Sequence, residues 1–245
     1  MTRATDAALR ALAKQLAAAL FLDLARRQRP TGRGIGKVAS VRYRPDGDLD
    51  LDGSTDALLD ASAHSEAVDP ESLRTRTWVA PSTAWCLLVD RSGSMHGEPV
   101  ATAAMAAAAV ALRAERDYAV LSFGRDVVAC TAMWEHHAPD EIIDRVLALQ
   151  GHGTTDVAAA LRAARAQLDV AGAQRRVTIL LSDCRATEPG DVFGAARALD
   201  ELVIIAPDGD HAEAAELADR VGARWTTTTG PSSVVAALGR VLDRG

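Results

Sequence analysis

The sequence predicts an α/β fold, a mostly parallel sheet covered by helices on both faces. Three observations predict it. From Ala84 onward, apolar runs of strand length alternate with stretches of helix length. Two of the runs, Trp85–Val89 (W-C-L-L-V) and Arg176–Leu181 (R-V-T-I-L-L), are apolar almost throughout, as strands buried on both faces must be. One neighbouring pair, Tyr118–Phe123 and Val127–Trp134, is joined only by Gly124-Arg125-Asp126, a turn short enough for an antiparallel hairpin.

The elements follow in order. Thr2–Gln28 is rich in Ala and Leu and broken by charges, so it reads as an amphipathic helix. Thr5 and Asp6 are candidate N-caps, and Pro30 with the Gly32–Gly36 run ends it. That glycine run follows a helix instead of a strand, so it reads as a linker and not as a phosphate loop. Val38–Tyr43 is a short strand. Asp46–Gly53 spaces its aspartates as a calcium loop does, but it lacks the Glu and flanking helices of an EF-hand. Leu49 and Leu51 alternate with the acids, which suits an exposed edge strand. Asp56–Ala63 is a short helix, and Arg74–Ala80 alternates like a strand before Pro81. Residues 1–80 are therefore read as an N-terminal extension, helical and irregular, with a basic helix, a Gly-rich linker and an acidic segment; residues 81–245 form the main domain.

In that domain Ala84–Val89 is a strand and Pro99–Arg113 a helix, its proline in the first turn. The hairpin follows. Helices are expected over Pro139–Leu149, Val157–Leu168, Pro189–Leu199, His211–Val221 and Ser232–Leu242. The remaining strands are Arg176–Leu181, Leu202–Ala206 and Arg224–Thr228.

Composition narrows the classes. No apolar run reaches the roughly 18 residues of a membrane helix. The N-terminus has no signal-peptide pattern, and Cys86, Cys130 and Cys184 are scattered in apolar surroundings, so a reducing cytoplasm is expected. The net charge of −6 hides an asymmetry: residues 1–44 hold ten Lys/Arg against two acids, while residues 45–77 hold nine acids against two arginines. The basic arm has only Phe21 and Tyr43 to stack on bases, so it is read as neutralising its own acidic neighbour, and nucleic acid is not expected as a partner.

The chemistry gathers where strands end. Asp90, Ser92 and Ser94 follow the strand Ala84–Val89 as D-R-S-G-S-M, and alternation turns their oxygens to one side. Asp90 is expected to point outward from the strand end. Thr154 and Thr155 lie in a glycine-rich loop before a helix, where Asp156 is the expected N-cap. Asp183 follows the strand Arg176–Leu181 in I-L-L-S-D. Both strand ends are carboxyl ends, where ligands bind in open α/β sheets. Carboxylates and hydroxyls are hard ligands that suit Mg²⁺ or Mn²⁺. D-R-S-G-S-M stands where a dinucleotide-binding turn needs G-x-G-x-x-G, which argues against a nucleotide fold. His96 and His152 read as exposed loop histidines. His136 and His137 are adjacent, so in extended chain they point to opposite sides and do not share a metal. Cys184 reads as a buried, inert thiol beside Asp183.

This pattern resembles the von Willebrand factor A (VWA) domain with a metal-ion-dependent adhesion site (MIDAS): D-x-S-x-S, a Thr before an A-L helix, and an Asp after a buried strand. The likeness runs from about Thr83 to the C-terminus. It implies a doubly wound, mostly parallel sheet with one antiparallel edge strand, and metal ligands Asp90, Ser92, Ser94, Thr155 and Asp183. The extension, with R-x-R-x-W ahead of the metal loop, is similar to bacterial CoxE-like proteins. That resemblance implies an intracellular, non-enzymatic protein-interaction module whose Mg²⁺ (or Mn²⁺) takes an Asp or Glu from a partner, a MoxR-type AAA+ ATPase or its client. A metal-dependent hydrolase is the alternative; it needs a general base, for which only His96 or His152 is near the motif.

Overall fold

The computed structural model describes residues 37–43, 47–65, 67–79, 82–91, 98–114, 116–135, 137–149 and 153–242. The expected helix Thr2–Gln28 and the Gly32–Gly36 linker lie outside the described residues. The described residues fall into two compact units, one within Arg29–Ser82 and one within Thr83–Gly245.

The first unit is a three-stranded antiparallel sheet, in the order β1 (Lys37–Arg42), β3 (Arg74–Val79), β2 (Asp48–Leu49), with one helix, α1 (Leu51–His64). The strands expected near 38–43 and 74–80 thus pair with each other, Ser40 opposite Arg76. This segment is more regular than the irregular extension the sequence suggests. The edge strand expected through Leu51 stops at Leu49, because Asp50 turns the chain into α1. Its carboxylate accepts the Gly53 amide at 3.3 Å as an N-cap, so the helix begins ahead of Asp56.

The second unit is a six-stranded sheet ordered β6 (Val127–Thr131), β5 (Tyr118–Phe123), β4 (Thr83–Asp90), β7 (Arg175–Leu181), β8 (Glu201–Pro207), β9 (Arg224–Thr228). Every pair is parallel except β5–β6, which puts the one antiparallel strand at the edge. The fold is therefore the doubly wound α/β sheet that the sequence predicts.

Alternation along β4 divides the core. Trp85, Leu87 and Val89 pack with α2 (Glu98–Arg113), α3 (Pro139–Leu147) and α7 (Pro231–Leu242). Ala84, Cys86 and Leu88 pack on the other face with α4 (Val157–Asp169), α5 (Val192–Arg197) and α6 (Ala212–Val221). Ala101, Ala103, Ala104 and Ala106–Ala109 of α2 are all buried, so the helix lies close on the sheet. Burying a side chain such as Leu87 or Leu88 contributes about 1.5–3 kcal/mol.

Two element ends differ from expectation for local reasons. β6 stops at Thr131 instead of Trp134, because the Glu135 carboxylate accepts the Ala132 amide at 3.0 Å and closes a turn. α5 starts at Val192 and not at Pro189, because Asp191 caps it through the Gly194 amide at 2.7 Å.

Candidate metal centre

The chain passes from β4 through α2 to β5 on one side, and later places β7 on the other side of β4. The carboxyl ends of β4 and β7 thus flank the switch in winding direction, where doubly wound sheets open a crevice. The register pairs Val89 with Leu181, so Asp90 comes level with Ser182, and Asp183 follows immediately. The Ser182 hydroxyl donates to Asp90 Oδ2 at 2.6 Å and accepts the Cys184 amide at 2.9 Å.

Asp90 lines the cleft at the strand end but is less open than expected. It is the last residue of β4 and only 4% exposed, and one carboxylate oxygen accepts the Ser182 hydroxyl beside it. Asp183 is half-buried, and its Oδ1 accepts the Arg185 amide at 3.0 Å.

Thr155 reaches the same edge from a different loop. Two anchors hold that loop. The Asp156 amide donates to the Gly124 carbonyl at the end of β5, at 2.8 Å. On the other side the Thr155 amide donates to Thr187 Oγ1 at 2.7 Å, and the Thr155 carbonyl accepts the amides of Thr187 and Glu188 at 3.0 and 3.2 Å. Gly124 matters here: a Cβ would stand 3.4 Å from both the Thr154 carbonyl and the Arg91 side chain. Asp156 caps α4 through the Ala159 amide at 2.8 Å, as the sequence predicts. Thr155 is 3% exposed, with both backbone groups engaged and no partner for its hydroxyl among the described residues.

The structure therefore brings Asp90, Thr155 and Asp183 to one edge of the sheet. Ser92 and Ser94 lie outside the described residues, as do His96, His136 and His152. His137 is half-buried, with Nδ1 3.2 Å from Glu141 and Nε2 3.5 Å from Glu135. Cys184 is buried, and its thiol pKa is pushed up by that burial and then by the charges of Asp183 and Asp90. Ser182 and Thr187 are the residues that sequence reasoning missed. Ser182 had a signal, its place directly before Asp183; Thr187 sits in a loop with no pattern.

Beside Asp90 and Asp183 a cleft of about 550 Å³ runs past Glu98 and Leu181 to Pro207 and Asp208 at the end of β8. Among the described residues no three His, Cys, Asp or Glu side chains form a cage able to hold a metal. The donors at this edge are instead carboxylates mixed with hydroxyls. That set fits a hard divalent cation that retains water, and does not fit zinc held by nitrogen and sulfur.

Residues 12–207 match the family described as VWA domain containing CoxE-like protein. None of the curated proteins matches the chain. Solved structures that share the fold include the following three. One is proximal thread matrix protein 1 of the mussel byssus with a zinc-occupied MIDAS motif, at TM-score 0.54 and 16% identity, covering 66% of this chain and 48% of that one. The second is a von Willebrand factor type A protein from Catenulispora acidiphila, at TM-score 0.51 and 19% identity, covering 66% and 42%. The third is manganese-loaded TRAP protein of Plasmodium vivax, at TM-score 0.54 and 16% identity, covering 67% and 75%. The chain thus spans less than half the length of the first two. At these identities the likeness speaks for the fold. The family match covers most of the chain and includes β4, the Thr155 loop and β7, so this protein belongs to the CoxE-like family of VWA-domain proteins.

Proposed function

We propose that the chain is a divalent-metal-dependent protein-interaction module and not an enzyme, with Asp90, Ser92, Ser94, Thr155 and Asp183 holding Mg²⁺ or Mn²⁺. The observation that carries this reading is the shared edge: Asp90 is tied to Ser182 of β7, next to Asp183, and the Thr155 loop is tied to the segment that follows them. The manganese- and zinc-loaded relatives of the same fold support a metal at such an edge. When bound, the ion supplies a Lewis-acid contact for an incoming carboxylate. The chain's own residues do the rest. Ser182 orients the Asp90 carboxylate, and the Thr187 and Glu188 backbone holds Thr155 in place. The acidic walls of the cleft, Glu98 and Asp208, leave the ion as the attraction for a partner's Asp or Glu.

The partner class we propose is a MoxR-type AAA+ ATPase, or the client enzyme on which it acts in remodelling or metal insertion. The support is membership of the CoxE-like family. A cytoplasmic setting belongs to the same proposal; among the described residues no helix is long and apolar enough to cross a membrane.

The test is direct binding of a purified MoxR-type ATPase to this chain in Mg²⁺, in EDTA, and with Asp90→Ala. Binding in Mg²⁺ alone, abolished by the substitution and by changing one exposed partner acid to Asn, is the expected result. Equal binding in EDTA and with Asp90→Ala would show that the contact does not run through a metal.

A further inference from the structure

We infer that Thr187 is a positioning residue that joins the two ligand loops into one body, so that metal affinity depends on a hydroxyl that does not itself bind the metal. This rests on the metal reading above. Thr187 meets Thr155 in both directions: its hydroxyl accepts the Thr155 amide at 2.7 Å, and its own amide donates to the Thr155 carbonyl at 3.0 Å. The Glu188 amide adds a third bond to the same carbonyl at 3.2 Å. These bonds fix both peptide groups that flank the Thr155 Cα, and so fix where its side chain points.

The segment carrying Thr187 is the one that begins with Ser182 and Asp183. It is pinned at both ends. Ser182 is bonded to Asp90 at the start. Near the other end Gly190 lies so close to α4 that a Cβ there would stand 2.8 Å from Ala158 Cβ, and Asp191 then caps α5. A loop held at both ends is a firm base for the Thr155 loop. Asp90, Asp183 and Thr155 are then linked through Ser182 and Thr187 and shift together. Partners one step behind a metal ligand typically change metal affinity by about 10–100-fold when removed.

Thr187 is itself exposed, so replacing it opens no cavity in the core. Thr187→Val keeps the shape and the backbone bonds but deletes the acceptor, leaving the buried Thr155 amide without one. Thr187→Ser restores it. The experiment is calorimetric Mn²⁺ titration of the full chain, Thr187→Val, Thr187→Ser, Thr155→Ala, Thr155→Ala with Thr187→Val, and Asp90→Ala, each with its melting curve. The inference expects Thr187→Val to weaken Mn²⁺ about tenfold or more. It expects Thr187→Ser to bind as the native chain does, and Thr187→Val to add little once Thr155 is Ala. Native affinity in Thr187→Val while Asp90→Ala loses Mn²⁺ overturns the inference and leaves the metal reading standing. So does equal weakening in the Val and Ser variants, or a lowered melting temperature with unchanged affinity. Native affinity in Asp90→Ala as well overturns the metal reading itself.

Discussion

The small sheet of residues 37–79 and the large sheet of residues 83–228 are both strand layers with helix packed on them, yet they bury opposite kinds of side chain. In the small sheet the buried residues, among those described, are Asp50, Ser54 and Thr75, all polar. Its contacts are correspondingly polar. The Arg74 amide donates to Ser54 Oγ at 2.9 Å, Arg74 Nε donates to Ser40 Oγ at 2.9 Å, and Arg76 Nε lies 3.0 Å from Asp50 Oδ1. In the large sheet both faces of β4, β7 and β8 are apolar, and Leu87, Leu88, Ile179, Leu180, Ile204 and Ile205 are wholly buried. Apolar burial is indifferent to pH and gives a rigid platform; carboxylate-centred contacts respond to acid and salt. The large sheet is thus suited to hold ligands at its edge in fixed positions, and the small one is not.

The largest effect expected from this contrast is in the large core. Leu180→Ala removes a side chain with no solvent exposure between β7 and α4, and should cost about 2–5 kcal/mol. Chemical denaturation followed by circular dichroism measures it. A loss near zero would mean that the face collapses freely, against the rigid platform argued here.

A smaller effect is expected from acid on the small sheet. The Ser40 hydroxyl, then the Gly53 amide and the charge of Arg76, hold the Asp50 carboxyl below its ordinary value of 3.8. A lowered folded-state pKa contributes stability that is present above the unfolded value and lost as pH falls through the folded one. Amide chemical shifts of Arg74–Val79 should therefore move below pH 3.8 while those of residues 177–180, clear of the Arg175 and Arg176 ion pairs, stay fixed, and Asp50→Asn should reduce the pH dependence. Simultaneous change in both strands would make acid a global effect and erase the contrast.

The sequence made the large sheet legible and the small one only in pieces. Runs such as W-C-L-L-V are apolar at every position, as a strand covered on both faces is, and are too short for a buried helix. The pairing of β1 with β3 had no such signal, since their residues mix polar with apolar and lie far apart in the chain. Leu49 and Leu51 suggested continued alternation, and the Asp50 carboxylate overrode it by capping α1. At the candidate site Asp90, Thr155 and Asp183 were readable because each sits at a predictable element end. The burial of Asp90 was not readable, because it follows from a hydroxyl on the neighbouring strand. Thr187 was invisible for a related reason: its role depends on a hydrogen bond between two loops, and no periodicity encodes that.

The central claim is that the edge formed by β4, β7 and the Thr155 loop binds a divalent cation through Asp90. Calorimetric titration of the chain with Mn²⁺, beside Asp90→Asn, tests it most directly. The asparagine keeps the shape and a partner for Ser182, so the melting curve should stay near that of the native chain. The account predicts a single saturable site in the native chain, competed by Mg²⁺ and lost in Asp90→Asn. Saturable binding of equal affinity in both proteins, or none in either, would contradict it.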